Sequence, residues 1–121
     1  MFKFIGDIIA DCPITDAASL LDVGCATGEF LHYIGGRFNS FTLSGFDISK
    51  NMVEVARTKN SRVNFWTESL INPQFINNEK YQIVTNIGVL SFFNEKELVL
   101  ALKNLILSVK EDGLLLIHTM I

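Results

Sequence analysis

The chain has 121 residues, of which 49% are hydrophobic, enough for one domain with a buried core and too few for two. Ten basic against thirteen acidic side chains leave a net charge of −3 with no cluster of lysines or arginines, which argues against nucleic acid or anionic lipid as a partner. The amino-terminal "MFKFIGDIIA" is apolar but interrupted by Gly6 and Asp7, so it is neither a membrane span nor a continuous signal-peptide core, and the expectation is a soluble, cytoplasmic protein.

Residues 2–10 place Phe2, Ile5, Ile8 and Ile9 at helical spacing, and Pro13 stops any continuation. "SLLDVG" (19–24) reads as a strand. "GEFLHYI" (28–34) starts a helix with Phe30, Leu31 and Ile34 on one face, and Gly35 and Gly36 are its expected stop. "FTLSGFD" (41–47) is the second strand. Ser49 stands as N-cap for a helix over "KNMVEVARTKN" (50–60), where Met52, Val53 and Ala56 recur at three and four residues. "RVNFW" (62–66) is the third strand. Residues 67–80, with Asn72, Pro73, Asn77 and Asn78, predict a loop holding at most one turn of helix. "YQIVTNIGVL" (81–90) supplies the fourth strand and its exit. "EKELVLALKNLILSVK" (95–110) predicts a helix with Leu98, Ala101, Leu102, Leu105 and Ile106 as one stripe. "EDG" (111–113) is then the turn into the last strand, "LLLIHTMI" (114–121).

No repeat, low-complexity tract or long linker divides this pattern. Strand and helix alternate five times, and the strands are solid apolar runs, so the expected fold is α/β: a doubly wound, Rossmann-like parallel sheet of five strands with helices on both faces. Ligands of such sheets bind beyond the carboxyl ends of the strands, beside the first one. The stretch "LLDVGCATGEF" (20–30) lies there.

Gly24 and Gly28 flank a turn, with Cys25 and Ala26 between them, in which missing side chains let backbone amides approach a ligand. A dinucleotide fingerprint requires glycine where this chain has Ala26 and Glu29, which disfavours NAD. Asp22 would repel a pyrophosphate and attract an ammonium or sulfonium. At the end of the second strand Asp47 can accept hydrogen bonds from both hydroxyls of a ribose. Glu68 can accept from an exocyclic adenine amine while the amides of Ser69 or Leu70 meet a ring nitrogen, and Ile48 and Met52 can wall the ring. These positions outline an adenosine with a cationic tail. Blander readings stand beside this one: an ordinary strand-to-helix connection for the turn, a helix-capping or solvated acid for Asp47, and a plain loop acid for Glu68. Cys12 and Cys25 show no metal-ligand spacing and are expected as free thiols, Cys25 as a small turn residue, while His32 and His118 are expected as structural or solvated.

"LLDVGCATGEF", "FDIS..M", "TES", "YQIVTNIGVL" and "LKNLILSVKEDGLLLI" resemble, in order and at similar intervals, the successive motifs of the class I S-adenosylmethionine-dependent methyltransferases. The resemblance implies S-adenosyl-L-methionine as cofactor and S-adenosyl-L-homocysteine as product. It assigns Gly24, Ala26 and Gly28 to the methionine end, Asp47 to the ribose and Glu68 to the adenine. Asn86, at the exit of strand four, becomes the candidate for touching both the methionine end and the acceptor, which is expected to be a small molecule. No catalytic residue and no metal are implied. Three residues depart from the pattern: Ala26 for a common glycine, Glu68 for a more usual aspartate and Gln82 for a frequent aspartate.

The family's last two strands are also lacking, so residues 1–121 are expected to be an S-adenosylmethionine-binding domain cut from a longer protein. The fifth strand is then an exposed edge suited to homodimerisation. A non-catalytic binding or regulatory module, and less favourably an NAD-dependent oxidoreductase fragment, remain as alternatives.

Overall fold

The computed structural model describes residues 1–14, 17–72 and 79–119. Five strands, β1 (Ser19–Val23), β2 (Thr42–Asp47), β3 (Asn64–Thr67), β4 (Tyr81–Ile87) and β5 (Val109–His118), form one sheet in the order β3-β2-β1-β4-β5. Every neighbouring pair is parallel. The strand order reverses between β2, β1 and β4, and this switch point opens the crevice in which such sheets bind ligands.

The apolar runs explain the layering. Along β1, Leu20 faces one core with Ile83 of β4, while Leu21 and Val23 face the other with Val84. Helices α1 (Phe2–Asp11), α2 (Glu29–Arg37) and α3 (Lys50–Lys59) cover the first face through Ile5, Ile9, Leu31, Ile34, Val53 and Ala56. Helix α4 (Glu95–Ser108) covers the second through Ala101 and Leu105. Each fully buried leucine or isoleucine here contributes about 1.5–3 kcal/mol, so the two clusters hold the sheet between them. Among the described residues, no helix is long and apolar enough to cross a membrane.

The expected cap forms at the start of α3, and a second one appears at the start of α4. Ser49 Oγ accepts from the Met52 nitrogen at 3.3 Å. Asn94 and Glu97 form a reciprocal capping box at the head of α4.

Four expectations need correction. Gly35 and Gly36 do not end α2, which runs on to Arg37; a side chain at Gly35 would press against Leu43 at 3.3 Å, so this glycine serves packing rather than termination. The α4 stripe excludes Ile106, which is 61% exposed, and includes Asn104 and Ser108. Met52 is exposed, leaving Val53 and Ala56 as the buried residues of α3. Finally, "EDG" is not a turn before the last strand, because β5 already begins at Val109. The β4–β5 register shifts between Tyr81 and Ile83, and Lys110–Gly113 bulge out within the strand. Of the loop expected over 67–80, residues 73–78 lie outside the described residues, as do 120 and 121 of the last strand.

Candidate functional site

The turn after β1 is bent by residues of positive φ: Gly24 at 77°, Ala26 at 50° and Gly28 at 84°. Each glycine is required for a second reason as well. A Cβ at Gly24 would lie 2.2 Å from Val89 Cγ2, and one at Gly28 would lie 2.9 Å from Asn60 Nδ2 and 3.1 Å from the Phe65 ring. At Ala26 the methyl group sits in a left-handed conformation that disfavours any Cβ, so this departure from the family pattern carries backbone strain.

The turn is drawn over the tip of β2. The Gly24 and Cys25 amides both donate to the Phe46 carbonyl at 2.9 Å, and the Ala26 amide donates to Asp47 Oδ2 at 2.9 Å. Asp47 Oδ1 accepts from the Ser49 amide at 3.0 Å, and the Asp47 carbonyl accepts from the Glu68 amide at 3.0 Å. Asp47 thus joins the glycine turn, the start of α3 and the loop after β3. Its carboxylate is half-buried, and its oxygens retain lone pairs for a further donor.

Asp22 lies deeper. It is 3% exposed, and its Oδ1 accepts from Thr85 Oγ1 of β4 at 2.8 Å. Burial, with the Asp47 charge adding to it, raises its pKa to about 7 despite the opposing Thr85 hydrogen bond. Asp22 is therefore a buried group beneath the turn. Cys25 is buried too, and burial together with Asp22 and Asp47 pushes its thiol up to about 12, which fits a turn residue and not a nucleophile. Both cysteines are free.

Asn86 is fully buried, and its Nδ2 donates to the Val23 carbonyl at 2.9 Å, closing the end of β1 where the turn begins. Its Oδ1 is buried with no hydrogen-bond partner among the described residues. Beyond the strand ends Ile48 is 73% and Met52 42% exposed, an apolar surface beside Asp47. Glu68 and Ser69 are half-buried, with Ser69 Oγ accepting from the Ile71 amide at 3.3 Å. The structure thus gathers Asp22, Asp47 and Cys25 around one turn and ties Glu68 to the tip of β2.

Three contributors escaped the sequence reading. Thr85 and Asn104 are polar residues inside apolar runs, which is the signal that could have found them. Val89 packs against Gly24 only through tertiary structure. His32, expected as structural or solvated, is exposed, with Nδ1 3.2 Å from Asn60 Oδ1. A cavity of about 360 Å³ at the amino ends of β2 and β3, lined by Phe38, Phe41, Lys59 and Arg62 among others, involves none of the candidate residues.

A glycine turn over strand-tip acids in a 3-2-1-4-5 parallel sheet defines a Rossmann-like nucleoside-binding class. The family model described as a methyltransferase domain matches residues 20–113. The chain belongs to that family, a class I S-adenosylmethionine-dependent methyltransferase domain. A malonyl-[acyl-carrier protein] O-methyltransferase of Acetivibrio thermocellus is 30% identical over 100 residues, covering 83% of this chain and 35% of that protein. CalS10, an amino pentose methyltransferase from Micromonospora echinaspora solved with S-adenosylmethionine bound, superposes with a TM-score of 0.86 at 25% identity, over 99% of this chain and 50% of that one. The sugar N-methyltransferase KedS8 from Streptoalloteichus shares the fold at a TM-score of 0.83 and 22% identity, over 98% and 47%. The chain therefore spans about a third of the first curated relative and half or less of these two solved chains.

Proposed function

We propose that this chain is the cofactor-binding part of an S-adenosylmethionine-dependent methyltransferase acting on a small-molecule acceptor. The observation that carries the reading is the Asp47 carboxylate, held beside a nearly side-chain-free turn at the switch point of the sheet. Asp47 would take the ribose hydroxyls, Gly24, Cys25, Ala26 and Gly28 would border the methionine end, and Asp22 would lie beneath it. Ile48, Met52, Glu68 and Ser69 would enclose and read the adenine. The orphaned Asn86 Oδ1 is a buried acceptor suited to an ammonium or hydroxyl donor, which supports its place near the methionine end.

When bound, S-adenosylmethionine supplies a methyl group on a sulfonium, an electrophile already activated by its own charge. What remains for the protein is to hold donor and acceptor in line, worth about 7–11 kcal/mol when alignment is good. Hence no residue of this chain is assigned as acid or base. The names of similar proteins, among them a sugar N-methyltransferase and an amino pentose methyltransferase, support a small-molecule acceptor. The net charge of −3 weighs against nucleic acid, and a cytoplasmic location accords with the free cysteines.

The reading is tested by calorimetric titration with S-adenosylhomocysteine on the wild type and on Asp47→Ala. Micromolar-range binding by the wild type and loss in the variant are expected; equal affinity in both would remove the ribose assignment. Binding by the full-length protein without turnover of any acceptor would instead make this a non-catalytic module.

The outer edge of β5 supports one addition, pairing with a second copy of the chain. In the sheet order β5 has a neighbour on one side only, and Ile117 of the strand and Ile106 and Leu107 of α4 are exposed.

A further inference from the structure

Asn104 is a polar residue on the buried stripe of α4, 3% exposed between Ala101 and Leu105. A buried amide persists in such a place only where its hydrogen bonds are made. Its Nδ2 donates to the Leu70 carbonyl at 2.7 Å and to the Asn72 carbonyl at 3.1 Å, partners 34 and 32 residues away in sequence. A primary amide nitrogen carries two hydrogens, so both bonds can be made together. The carbonyls belong to the loop after β3, the same loop that presents Glu68 and Ser69.

Among the described residues, 68–72 of that loop are held in place by hydrogen bonds along their length. Its start is held by the Glu68 amide on the Asp47 carbonyl at 3.0 Å, and its middle by the bond from the Asn72 amide to the Ser69 carbonyl at 3.1 Å. The Leu70 and Asn72 carbonyls are held by Asn104, with the Leu70 side chain buried in the same cluster as Ala101 and Leu105. The first pin is part of the nucleoside site itself. The last lies on a helix that touches no proposed ligand.

We propose that Asn104 is the positioning residue for nucleobase selection: by fixing the Leu70 and Asn72 carbonyls from beneath, it sets where Glu68 and the following amides meet the base. This rests on the cofactor reading above and extends it to a residue outside the site. Removing the two donors releases the Leu70 and Asn72 carbonyls from α4 while the Leu70 side chain stays in its cluster and Asp47 and the glycine turn keep their own bonds. Asn104 thus governs discrimination between bases, and overall affinity depends on it much less.

The test compares S-adenosylhomocysteine with S-inosylhomocysteine, in which a carbonyl replaces the exocyclic amine that Glu68 would accept from. Wild-type protein is expected to prefer the adenine form by about tenfold or more in calorimetric titration. In Asn104→Leu the preference falls below about threefold, while affinity for the inosine form changes by less than about threefold. Asn104→Ala, which removes both donors without adding bulk or charge, behaves the same way and replaces the leucine variant if that one fails to fold. Glu68→Ala removes the preference, and adding Asn104→Ala to it changes nothing further. A variant at Asn104 that keeps the wild-type preference, or that loses both ligands equally, overturns the proposal. Equal binding of both ligands by the wild type defeats it while leaving the cofactor site standing, and binding of neither defeats both.

Discussion

Asp47 Oδ2 accepts from the Ala26 backbone nitrogen at 2.9 Å across 21 residues of sequence, while Oδ1 of the same carboxylate accepts from Ser49. One side chain therefore holds both the glycine turn and the head of α3 in the shape a ribose would meet. Asp47→Ala leaves two backbone donors without that partner and removes the acceptor proposed for the ribose. The expected result is a loss of about 1–2 kcal/mol in urea denaturation and at least about tenfold in affinity for S-adenosylhomocysteine.

Ala26 offers a change in the other direction. Its φ of 50° is left-handed, where a Cβ costs about 1–2 kcal/mol and glycine costs nothing beyond about 0.5–1 kcal/mol of chain entropy. Ala26→Gly is expected to stabilise the fold by about 0.5–1 kcal/mol, read as a higher denaturation midpoint. A lower midpoint would show that the alanine methyl makes a compensating contact.

Gly24 tolerates no such exchange. A Cβ there would lie 2.2 Å from Val89 Cγ2, in a backbone conformation with φ of 77°. Gly24→Ala is expected to cost about 2–4 kcal/mol, combining left-handed strain with overpacking. Adding Val89→Ala should relieve the overpacking and leave the strain, so the double variant lies between Gly24→Ala and the wild type in thermal melts. Identical melting of single and double variants would mean that Val89 is not the obstacle.

Asp22 makes stability depend on pH with a definite sign. Its folded-state pKa is raised from 3.8 to about 7, so the folded chain keeps a proton that the unfolded chain gives up. Stability from this group is then present in full below about pH 4, declines as pH rises towards about 7 and stays low above that, by about 1.4 kcal/mol per unit of pKa difference. Asp22→Asn, whose Oδ1 can still accept from Thr85, is expected to match the wild type near pH 4 and to exceed it by a few kcal/mol at pH 8. Parallel denaturation series at the two pH values check this. A constant difference between them would contradict the burial of a titrating carboxyl.

The β5 edge predicts self-association. Sedimentation equilibrium on this chain should show a dimer forming as concentration rises to high micromolar, and disruption of it by Leu115→Pro, which introduces a residue that cannot donate to a ladder. A strictly monomeric profile for the unaltered chain excludes strand-edge pairing.

The sequence by itself determined the elements and their class, because the forces that set them act over a few residues. The apolar runs of β1, β2 and β4, the cap at Ser49 and the glycine turn at 24–28 each state their conformation locally, and the turn's place at the first strand implies the crevice. What the turn touches was decided by the tertiary structure. Gly35 and Gly36 look like a helix stop until α2 is seen to run on to Arg37, with Leu43 approaching Gly35 closely enough to favour a residue without a side chain there. Asp22 looks like an acid set to attract a cation until register places Thr85 opposite it, 63 residues later, and closes the sheet over both. Ile106, expected on the buried stripe of α4, is exposed and Asn104 is buried, because the helix meets the sheet with a stripe turned from the one its apolar residues mark. Periodicity is a property of neighbours in the chain, whereas a hydrogen-bond partner depends on which strands adjoin and in what register, and that choice is made only when the whole sheet assembles.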